Sequence, residues 1–223
     1  MPHNKPFLIA IDGPNASGKG TLARRLGKEL GYPVLDTGLL YRAVGWLVLQ
    51  SGGDLNNQTS ALHAADELHE RIHSENILDN ADLRSAEIGN AASIVSAFGP
   101  VRQSLFDLQR NFALHPPGNA TGAILDGRDI GTVICPDANI KFFVTAQPQI
   151  RAERRSRELY GDSWKEHFND LLQQTMERDH RDSTRATAPL KPADDADMVD
   201  TSEMTADQVF EMALAAIRTK QAA

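Results

Sequence analysis

The sequence predicts an α/β fold in which helices flank a parallel β-sheet. Short apolar segments rich in β-branched residues recur along the chain and alternate with stretches of helical periodicity. Continuous apolar strands joined by helices are typical of parallel sheets that are covered on both faces. The first apolar segment also runs directly into a glycine-rich turn and a helix. Ligands of such folds bind at the carboxyl ends of the strands, so this turn is the first candidate site.

The predicted strands cover residues 7–11, 33–35, 123–125, 140–146 and about 197–200. Polar side chains lie at or near the ends of four of these segments, namely Asp12, Asp36, Asp126 and Thr145. Parallel strands end at a common edge of the sheet, and we therefore expect these four side chains to border one site.

Residues 13–21 read Gly-Pro-Asn-Ala-Ser-Gly-Lys-Gly-Thr and have the G-x-x-x-x-G-K spacing of a phosphate-binding P-loop. The backbone N–H groups of such a loop surround the phosphates, and its lysine meets the β and γ oxygens. Leucines at four-residue spacing from Leu22 to Leu30 predict a helix next, and Gly31 is suited to end it in a left-handed conformation. A glycine-rich turn without a ligand could give the same short pattern, but it would not require Lys19.

Charge and composition narrow the class of protein. A net charge of −7 argues against a general binder of nucleic acid or acidic membranes. The 16 arginines outnumber the 7 lysines, which favours local bidentate recognition of phosphate. Cys135 is the single cysteine, so no intrachain disulfide forms and a reducing compartment is expected. Without an apolar signal region or membrane-length segment, we expect a cytoplasmic protein with no membrane partner.

Further motifs come after the loop in order along the chain. They are Leu35-Asp-Thr-Gly38 with Tyr41-Arg42, Asp126-Gly-Arg-Asp-Ile-Gly-Thr132, and Arg178-Asp with Asp182, Arg185 and Ala188-Pro189-Leu190. Together with Gly13-Pro14 and Gly18-Lys-Gly-Thr21, this arrangement resembles the bacterial cytidylate kinases, which are P-loop nucleoside monophosphate kinases. The resemblance covers nearly the whole chain. It implies ATP-dependent phosphorylation of CMP and dCMP to CDP and dCDP.

Two regions interrupt the alternation of strands and helices. Residues 41–102 are polar and helical, with a predicted turn at 51–57, and we interpret them as an inserted subdomain that binds the nucleoside monophosphate. We interpret residues 151–185 as a lid. The sequence predicts two helices in this region, one that is started by Pro148 and one from Trp164 to about Arg178. The predicted core of this single domain is the remainder, residues 1–40, 103–150 and 186–223.

The chemistry of the implied reaction explains the abundance of arginine. A phosphate monoester has a second pKa of about 6, so the attacking oxygen is already ionised at neutral pH and needs no protein base. The obstacle is repulsion between two anions. Catalysis then consists of in-line positioning and charge stabilisation by arginines, the loop lysine and Mg²⁺.

The resemblance assigns roles residue by residue. The ATP phosphates are expected on Gly13, Pro14, Asn15, Ala16, Ser17, Gly18, Lys19, Gly20 and Thr21. The expected contacts of the acceptor are Thr37, Tyr41, Arg42, Ser93, Arg102, Asp126, Arg128, Asp129, Arg178, Arg181, Asp182 and Arg185. Among these, Thr37, Arg42 and Arg128 hold its phosphate, while Ser93, Arg102 and Asp129 hold the cytosine. The catalytic cations are Lys19, Arg128, Arg178 and Arg185.

The lid-side residues form a set of their own. Arg178, Asp182 and Arg185 are spaced by 4 and 3 residues, which places them on one face of a continuing helix. The resemblance implies that the arginines close on phosphate and that Asp182 meets the sugar. Arg181 lies on the same stretch and shares the phosphate role.

One feature of the loop departs from the common P-loop, and another departs from the family pattern. Gly20 stands where the common P-loop has a hydroxyl ligand of Mg²⁺, so we expect the ion to be held by ATP phosphates and water, without a direct protein ligand. Asn15 and Ala16 stand where the family usually has Ser or Ala and then Gly or Ser. If position 16 requires a positive φ, alanine carries strain there that glycine would not.

Several alternatives stay open at this point. Ser93 could cap a helix, Arg102 could lie on the surface, and Arg178, Asp182 and Arg185 could form a solvated ladder of charges. Arg154 is expected to pair with Glu158. A P-loop kinase for UMP, AMP or shikimate is a second function, and a non-catalytic nucleotide-binding regulator is a third. We expect a monomer with no obligate protein partner and no nucleic-acid ligand.

Overall fold

One parallel sheet organises the protein, whose computed structural model describes residues 5–72 and 74–222. Its five strands lie in the order β2-β3-β1-β4-β5. They are β1 Phe7–Asp12, β2 Val34–Asp36, β3 Gly122–Gly127, β4 Ile140–Thr145 and β5 Asp197–Asp200. Every pairing between neighbours is parallel. The predicted α/β fold is confirmed.

Helices connect the strands and cover the sheet. They are α1 Lys19–Leu30, α2 Thr37–Gln50, α3 Gln58–Arg71, α4 Ala86–Val95, α5 Gly99–Leu114, α6 Pro148–Tyr160, α7 Trp164–Thr184 and α8 Ala206–Gln221. Gly31 ends α1 with a φ of 67°, as its position predicted. The expected end of α7 near Arg178 is wrong, because residues 179–184 contain no glycine or proline and continue the helix to Thr184.

The sheet is buried on both faces by apolar side chains. On one face α1 and α8 pack against the strands through residues such as Leu26 and Ile217. On the other face α5 and a short helical turn at Ile130–Ile134 cover Leu8 and Leu125. Apart from the aspartates near their ends, the central strands β1 and β3 contain no charged or polar side chains, because neither face of the sheet meets water.

The register brings the predicted polar residues to one edge of the sheet. Asp12 lies opposite Gly127 of β3 and Phe143 of β4, and Asp36 lies opposite Asp126. Because β1 has β3 on one side and β4 on the other, the chain leaves its end at the point where the connections diverge to both sides. The P-loop therefore starts at the place where such sheets bind ligands.

Helices α2 to α5 enclose a separate hydrophobic core that includes Leu40, Val44, Leu68 and Leu105. Helices α6 and α7 are joined by a tight turn at Gly161–Ser163, and Arg157 stacks 4.2 Å from the centre of the Trp164 ring. This packing is consistent with an inserted subdomain and a helical lid, whose boundaries stay predictions. Among the described residues, no helix combines the length and apolar character needed to cross a membrane.

The N-terminus of α8 provides a test of local stability. The Thr205 hydroxyl accepts a hydrogen bond from the backbone N–H of Gln208, whose side chain accepts one from the N–H of Thr205. We expect Thr205→Ala to lower the free energy of unfolding by about 1 kcal/mol in urea titrations.

Thr219→Ala is the matched control, because Thr219 lies exposed near the other end of the same helix. There the change removes no cap and improves helix propensity, so the effect should be neutral or stabilising by less than about 0.5 kcal/mol. Equal losses in the two variants would contradict the capping account.

Candidate active site

The loop between β1 and α1 is folded closely against the end of the sheet. Gly13 has a φ of 150°, and a Cβ at this position would lie 1.9 Å from the Val144 carbonyl oxygen. Gly18 has a φ of 95° and directly precedes α1. The first N–H groups of α1 have no partner inside the helix and favour an anion at this end. The geometry is therefore that of a phosphate cradle.

Ala16 adopts a φ of 57°, in the left-handed region. The sequence-based expectation that this position could require a positive φ is confirmed. An alanine in this conformation costs roughly 1–2 kcal/mol relative to ordinary backbone regions. Contacts from the surrounding structure must hold the loop in this shape.

Lys19 extends from the first residue of α1 toward β3. Its Nζ lies 3.7 Å from Oδ1 of Asp126, and 12% of its side chain is exposed. Burial lowers the pKa of Lys19 to about 8, and the positive charge of Arg128 acts in the same direction. An arriving anion would restore the full charge of this lysine.

Two buried aspartates hold the neighbouring segments in place. Burial raises the pKa of Asp126 to about 6 although Lys19 opposes the shift, and the Asp126 carbonyl accepts the hydroxyl of Thr37 at 2.8 Å. Asp12 accepts hydrogen bonds from the N–H groups of Ile130 and Gly131 at 2.8 and 2.7 Å. Asp12 thereby anchors the loop that carries Arg128 and Asp129, a role that the sequence did not reveal.

A cleft beside Lys19 brings together most of the predicted acceptor residues. The predicted residues that line it are Asn15, Lys19, Thr37, Tyr41, Arg42, Arg102, Asp126, Arg128, Asp129, Arg178, Asp182 and Arg185. They come from the P-loop, from α1, α2, α5 and α7, from the end of β3 and the loop after it, and from the segment after α7, which are distant in sequence. Two predicted residues are not among its lining. Ser93 is buried in α4 and its hydroxyl has no hydrogen bond within the described chain, while Arg181 donates to Asn90 Oδ1 at 3.1 Å.

The end of this cleft near Lys19 is strongly cationic. Arg42 donates to the carbonyls of Leu83 and Ser85 at 2.6 and 3.1 Å. Burial, reinforced by Arg155, lowers the pKa of Arg42 to about 10. Burial and the charge of Arg128 lower the pKa of Arg178 to about 9.

Asp182 lies among these arginines. Arg128 Nε donates to its Oδ2 at 3.1 Å, and Arg178 Nε lies 3.9 Å from the same oxygen. Burial alone would raise the pKa of Asp182, but Arg128, Arg178 and Arg185 outweigh it and leave that pKa below its usual value. Asp182 therefore stays ionised and offers a buried acceptor.

The far end of the cleft is built around the ion pair of Arg102 and Asp129, both of which are buried. The expectation that Arg102 could be an ordinary surface arginine is therefore wrong. The Tyr41 ring lies 5.3 Å from the Arg102 guanidinium carbon. Arg185 Nη2 lies 3.9 Å from Asp129 Oδ1, which brings this arginine to the same place.

The path by which Arg185 reaches the cleft differs from the prediction. α7 ends at Thr184, and Arg185 comes next with a ψ of 142°, so the three lid-side residues do not share one continuous helix. Arg185 Nε is instead held by the Ala188 carbonyl at 2.7 Å. Residue spacing alone could not show this change of backbone direction.

A second cleft borders residues 15–21 on the side of α6. Four arginines that sequence reasoning did not assign to the site line it, namely Arg24, Arg84, Arg154 and Arg155. The expected pair of Arg154 with Glu158 is wrong, because Arg155 makes that contact at 2.8 Å. Arg154 donates to Thr201 Oγ1 and O at 2.9 and 2.7 Å, since its face of α6 is turned toward the segment after β5. For Arg154 and Arg155, the spacing of arginines along α6 was the signal in the sequence that could have indicated a place in the site.

The sheet is parallel and carries the P-loop at the end of its central strand, and the arginine-rich cleft beside Lys19 lies next to that loop. This combination defines the class of P-loop phosphotransferases that act on anionic acceptors. A model of the family described as cytidylate kinase matches residues 9–219. The chain belongs to the cytidylate kinase family.

The similarity to individual relatives extends over nearly the whole chain. The cytidylate kinase of Xanthobacter autotrophicus is 53% identical over 216 residues, which are 97% of this chain and 99% of that protein. The cytidylate kinase of Rhodospirillum rubrum is 50% identical over 208 residues, covering 93% and 95%. A crystal structure of an uncharacterized protein from Eubacterium ventriosum covers 95% of this chain and 98% of its own, with a TM-score of 0.54 and 14% identity, which shows the fold alone.

The lowered pKa of Lys19 gives a test by proton linkage. At pH about 8 this lysine is half protonated without nucleotide, and ATP phosphates favour its charged form. We expect ATP binding at that pH to take up about half a proton per site, less below pH 7, as read from calorimetry in buffers of different ionisation enthalpy. Lys19→Met should abolish the uptake. Proton release, or uptake that persists in this variant, would contradict the assignment.

Proposed function

We propose that this chain transfers the γ-phosphoryl group of ATP in line to the phosphate of CMP or dCMP, forming ADP and CDP or dCDP. The observation that carries the proposal is the meeting of two cationic phosphate sites at Lys19. One is the P-loop, and the other is the arginine cleft. A protein that only binds ATP would have no use for the second.

The donor occupies the loop side. Backbone N–H groups of residues 13–21 receive its phosphates, Lys19 follows the charge that develops at the β/γ bridge, and Thr21 lies by the α and β oxygens. An apolar recess next to the loop, lined by residues that include Leu22, Met204 and Arg154, suits the adenine ring. A planar guanidinium and a thioether both pack well on an aromatic ring.

Mg²⁺ accompanies the donor and neutralises phosphate charge when it is bound. The described residues contain no group of three or more His, Cys, Asp or Glu that could hold a metal ion. A Cβ on Gly20 would lie 3.1 Å from Asp126 Oδ2, so glycine leaves this carboxylate room close to the loop. Gly20 and Asp126 therefore fit an ion that would be held mainly by ATP phosphates and water. Asp126 would accept hydrogen bonds from that water.

The acceptor phosphate binds at the cationic end of the cleft. Arg42, Arg128 and Arg178 surround it, and Thr37 at the start of α2 adds a hydroxyl. Its oxygen is already ionised at neutral pH and attacks without a general base. The arginines offset the repulsion between nucleophile and donor, and Arg178 and Arg185 close the site from the α7 side.

The base lies at the far end against Asp129 and Arg102. The carboxylate of Asp129 accepts from the exocyclic amine of cytosine, and the Arg102 guanidinium donates to the acceptors of the ring. Ser96, which lines the cleft, is a candidate beside the predicted Ser93. Uracil presents a carbonyl where cytosine has its amine, so two acceptors would face each other.

The sugar binds between these two ends. Asp182 stays ionised and accepts a ribose hydroxyl, and Arg181 supports the phosphate from the rim of α7. Action as a monomer without an obligate protein partner, and the cytoplasmic location, stay predictions.

The substrate assignment is tested with ADP release from Mg·ATP in the presence of CMP, dCMP, UMP, AMP or shikimate. We expect rapid turnover with CMP and dCMP only. Lys19→Met should lower kcat by a factor of about 1,000 or more, because it removes a charge that acts in the transition state. Turnover with a different acceptor alone would overturn the base site. ATP binding without turnover on any acceptor would favour a regulator.

The base-reading role of Asp129 has its own test. Asp129→Asn offers an amide that can donate to uracil, and we expect the ratio of kcat/KM for CMP over UMP to fall about a hundredfold. Asp137→Asn is the control, because Asp137 comes after the same loop but pairs with Arg110 at the surface. An unchanged ratio in Asp129→Asn would place the base elsewhere.

A further inference from the structure

One arginine that lines neither cleft donates a hydrogen bond to a backbone carbonyl of the phosphate loop. Arg151 lies in the first turn of α6, and 3% of its surface is exposed. Its Nε donates to the Ala146 carbonyl at 2.8 Å, and its Nη1 donates to the Asn15 carbonyl at 3.3 Å. Nη1 also donates to Asp179 Oδ1 at 3.0 Å, and Nη2 completes a bidentate pair with the other Asp179 oxygen. Three separate segments therefore meet at one guanidinium.

The contact with Asn15 falls at the strained point of the loop. The next residue is Ala16, whose φ of 57° is unfavourable for alanine. A trans peptide is planar, so its C=O and N–H groups point in opposite directions. Holding the Asn15 carbonyl toward the Arg151 guanidinium therefore directs the Ala16 N–H away from that guanidinium, and this is the first N–H of the loop after Asn15.

A second tether acts in the same way further along the loop. The Thr201 hydroxyl lies 2.9 Å from the Ser17 carbonyl, which it can reach as a donor, and Arg154 donates to that hydroxyl. The carbonyl of Ser17 faces this hydroxyl, and the N–H of Gly18 is therefore directed the opposite way. Two arginines of α6 thus contact carbonyls of the loop, one directly and one through a hydroxyl.

We propose that Arg151 is a positioning residue for the phosphoryl donor: it holds the Asn15–Ala16 peptide so that its N–H faces the ATP phosphates, and it links this peptide to α7 through Asp179. This inference rests on the proposed function, because it concerns the same ATP site. Arg178 directly precedes Asp179 in α7, and Asp182 lies three positions after it. The helix that lines the acceptor cleft is therefore connected to the donor loop through Arg151.

The test compares Arg151→Met with Arg157→Met. Both changes remove an arginine of α6, but Arg157 is exposed and pairs only with Glu153 and the Trp164 ring among the described residues. We expect Arg151→Met to raise the Kd for ATP, measured by calorimetry without any acceptor, by about tenfold or more through loss of charged hydrogen bonds. The KM for ATP should rise similarly, while the KM for CMP changes less. Arg157→Met should leave all three constants within about twofold of wild type.

Two further variants separate positioning from general stability. Arg151→Lys keeps the charge without the planar fork and should raise the Kd for ATP only a few-fold, at about 3 to 5 times wild type. Adding Ala16→Gly to Arg151→Met should recover about threefold of the lost ATP affinity, because glycine adopts a positive φ without the alanine penalty. If Arg151→Met does not fold, Asp179→Asn with and without Ala16→Gly gives the same comparison.

The results that would overturn the proposal are specific. They are an ATP Kd equal to wild type in Arg151→Met or Arg151→Lys, equal rises in the KM values of ATP and CMP, or no recovery on adding Ala16→Gly. Because the Kd for ATP is measured without an acceptor, this outcome is independent of the proposed acceptor. A wild-type protein inactive with CMP would reject the acceptor and leave the ATP titrations to decide the role of Arg151.

Discussion

Positive charge concentrated in a buried cleft at one edge of the sheet is the constraint on which the rest of the structure depends. Burial lowers the pKa of Lys19 to about 8, of Arg42 to about 10 and of Arg178 to about 9, and nearby cations add to each shift. Each of these groups is therefore less stable as a cation here than in water. Phosphate anions reverse that balance, because they restore the charges and offset their repulsion. The protein holds in advance the electrostatic environment that two phosphates need.

Hydrogen bonds and ion pairs between segments distant in sequence hold the residues around the cleft in place. Asp12 holds the loop after β3 through two backbone N–H groups, and its pKa is raised to about 7 by burial. Arg151 joins the P-loop, the end of β4 and α7, and Arg102 and Asp129 pair at the end of the cleft far from Lys19. The apolar cores of the sheet and of α2 to α5 supply stability at a distance from these charges. The cleft can then remain strained and cationic without loss of the fold.

The features that the sequence predicted correctly depend on local pattern. The five strands, the P-loop, the cap at Gly31 and the gathering of Lys19 with the arginine motifs all rest on short-range periodicity or on motif resemblance. Prediction failed where long-range packing decides. Arg154 and Glu158 have the spacing of an ion pair, yet Arg154 turns to Thr201, which is distant in sequence and outside the reach of a helix-spacing rule. Arg185 converges on Asp129 after the helix has ended, and Arg151 meets Asn15 across 136 residues. Such contacts depend on topology, which spacing within one helix does not contain.

The most direct test of the central claim is the effect of Arg178→Met on stability and binding together. Arg178 is mostly buried, and its nearest carboxylate oxygen, on Asp182, is 3.9 Å away and already bonded to Arg128. If buried cations are held for the substrate at the expense of the free protein, Arg178→Met should raise the free energy of unfolding without ligand by about 1 kcal/mol and weaken CMP binding by about tenfold or more. Urea unfolding and CMP titration measure the two quantities, with exposed Arg218→Met as control. A variant that is less stable than wild type and binds CMP equally well would contradict the account.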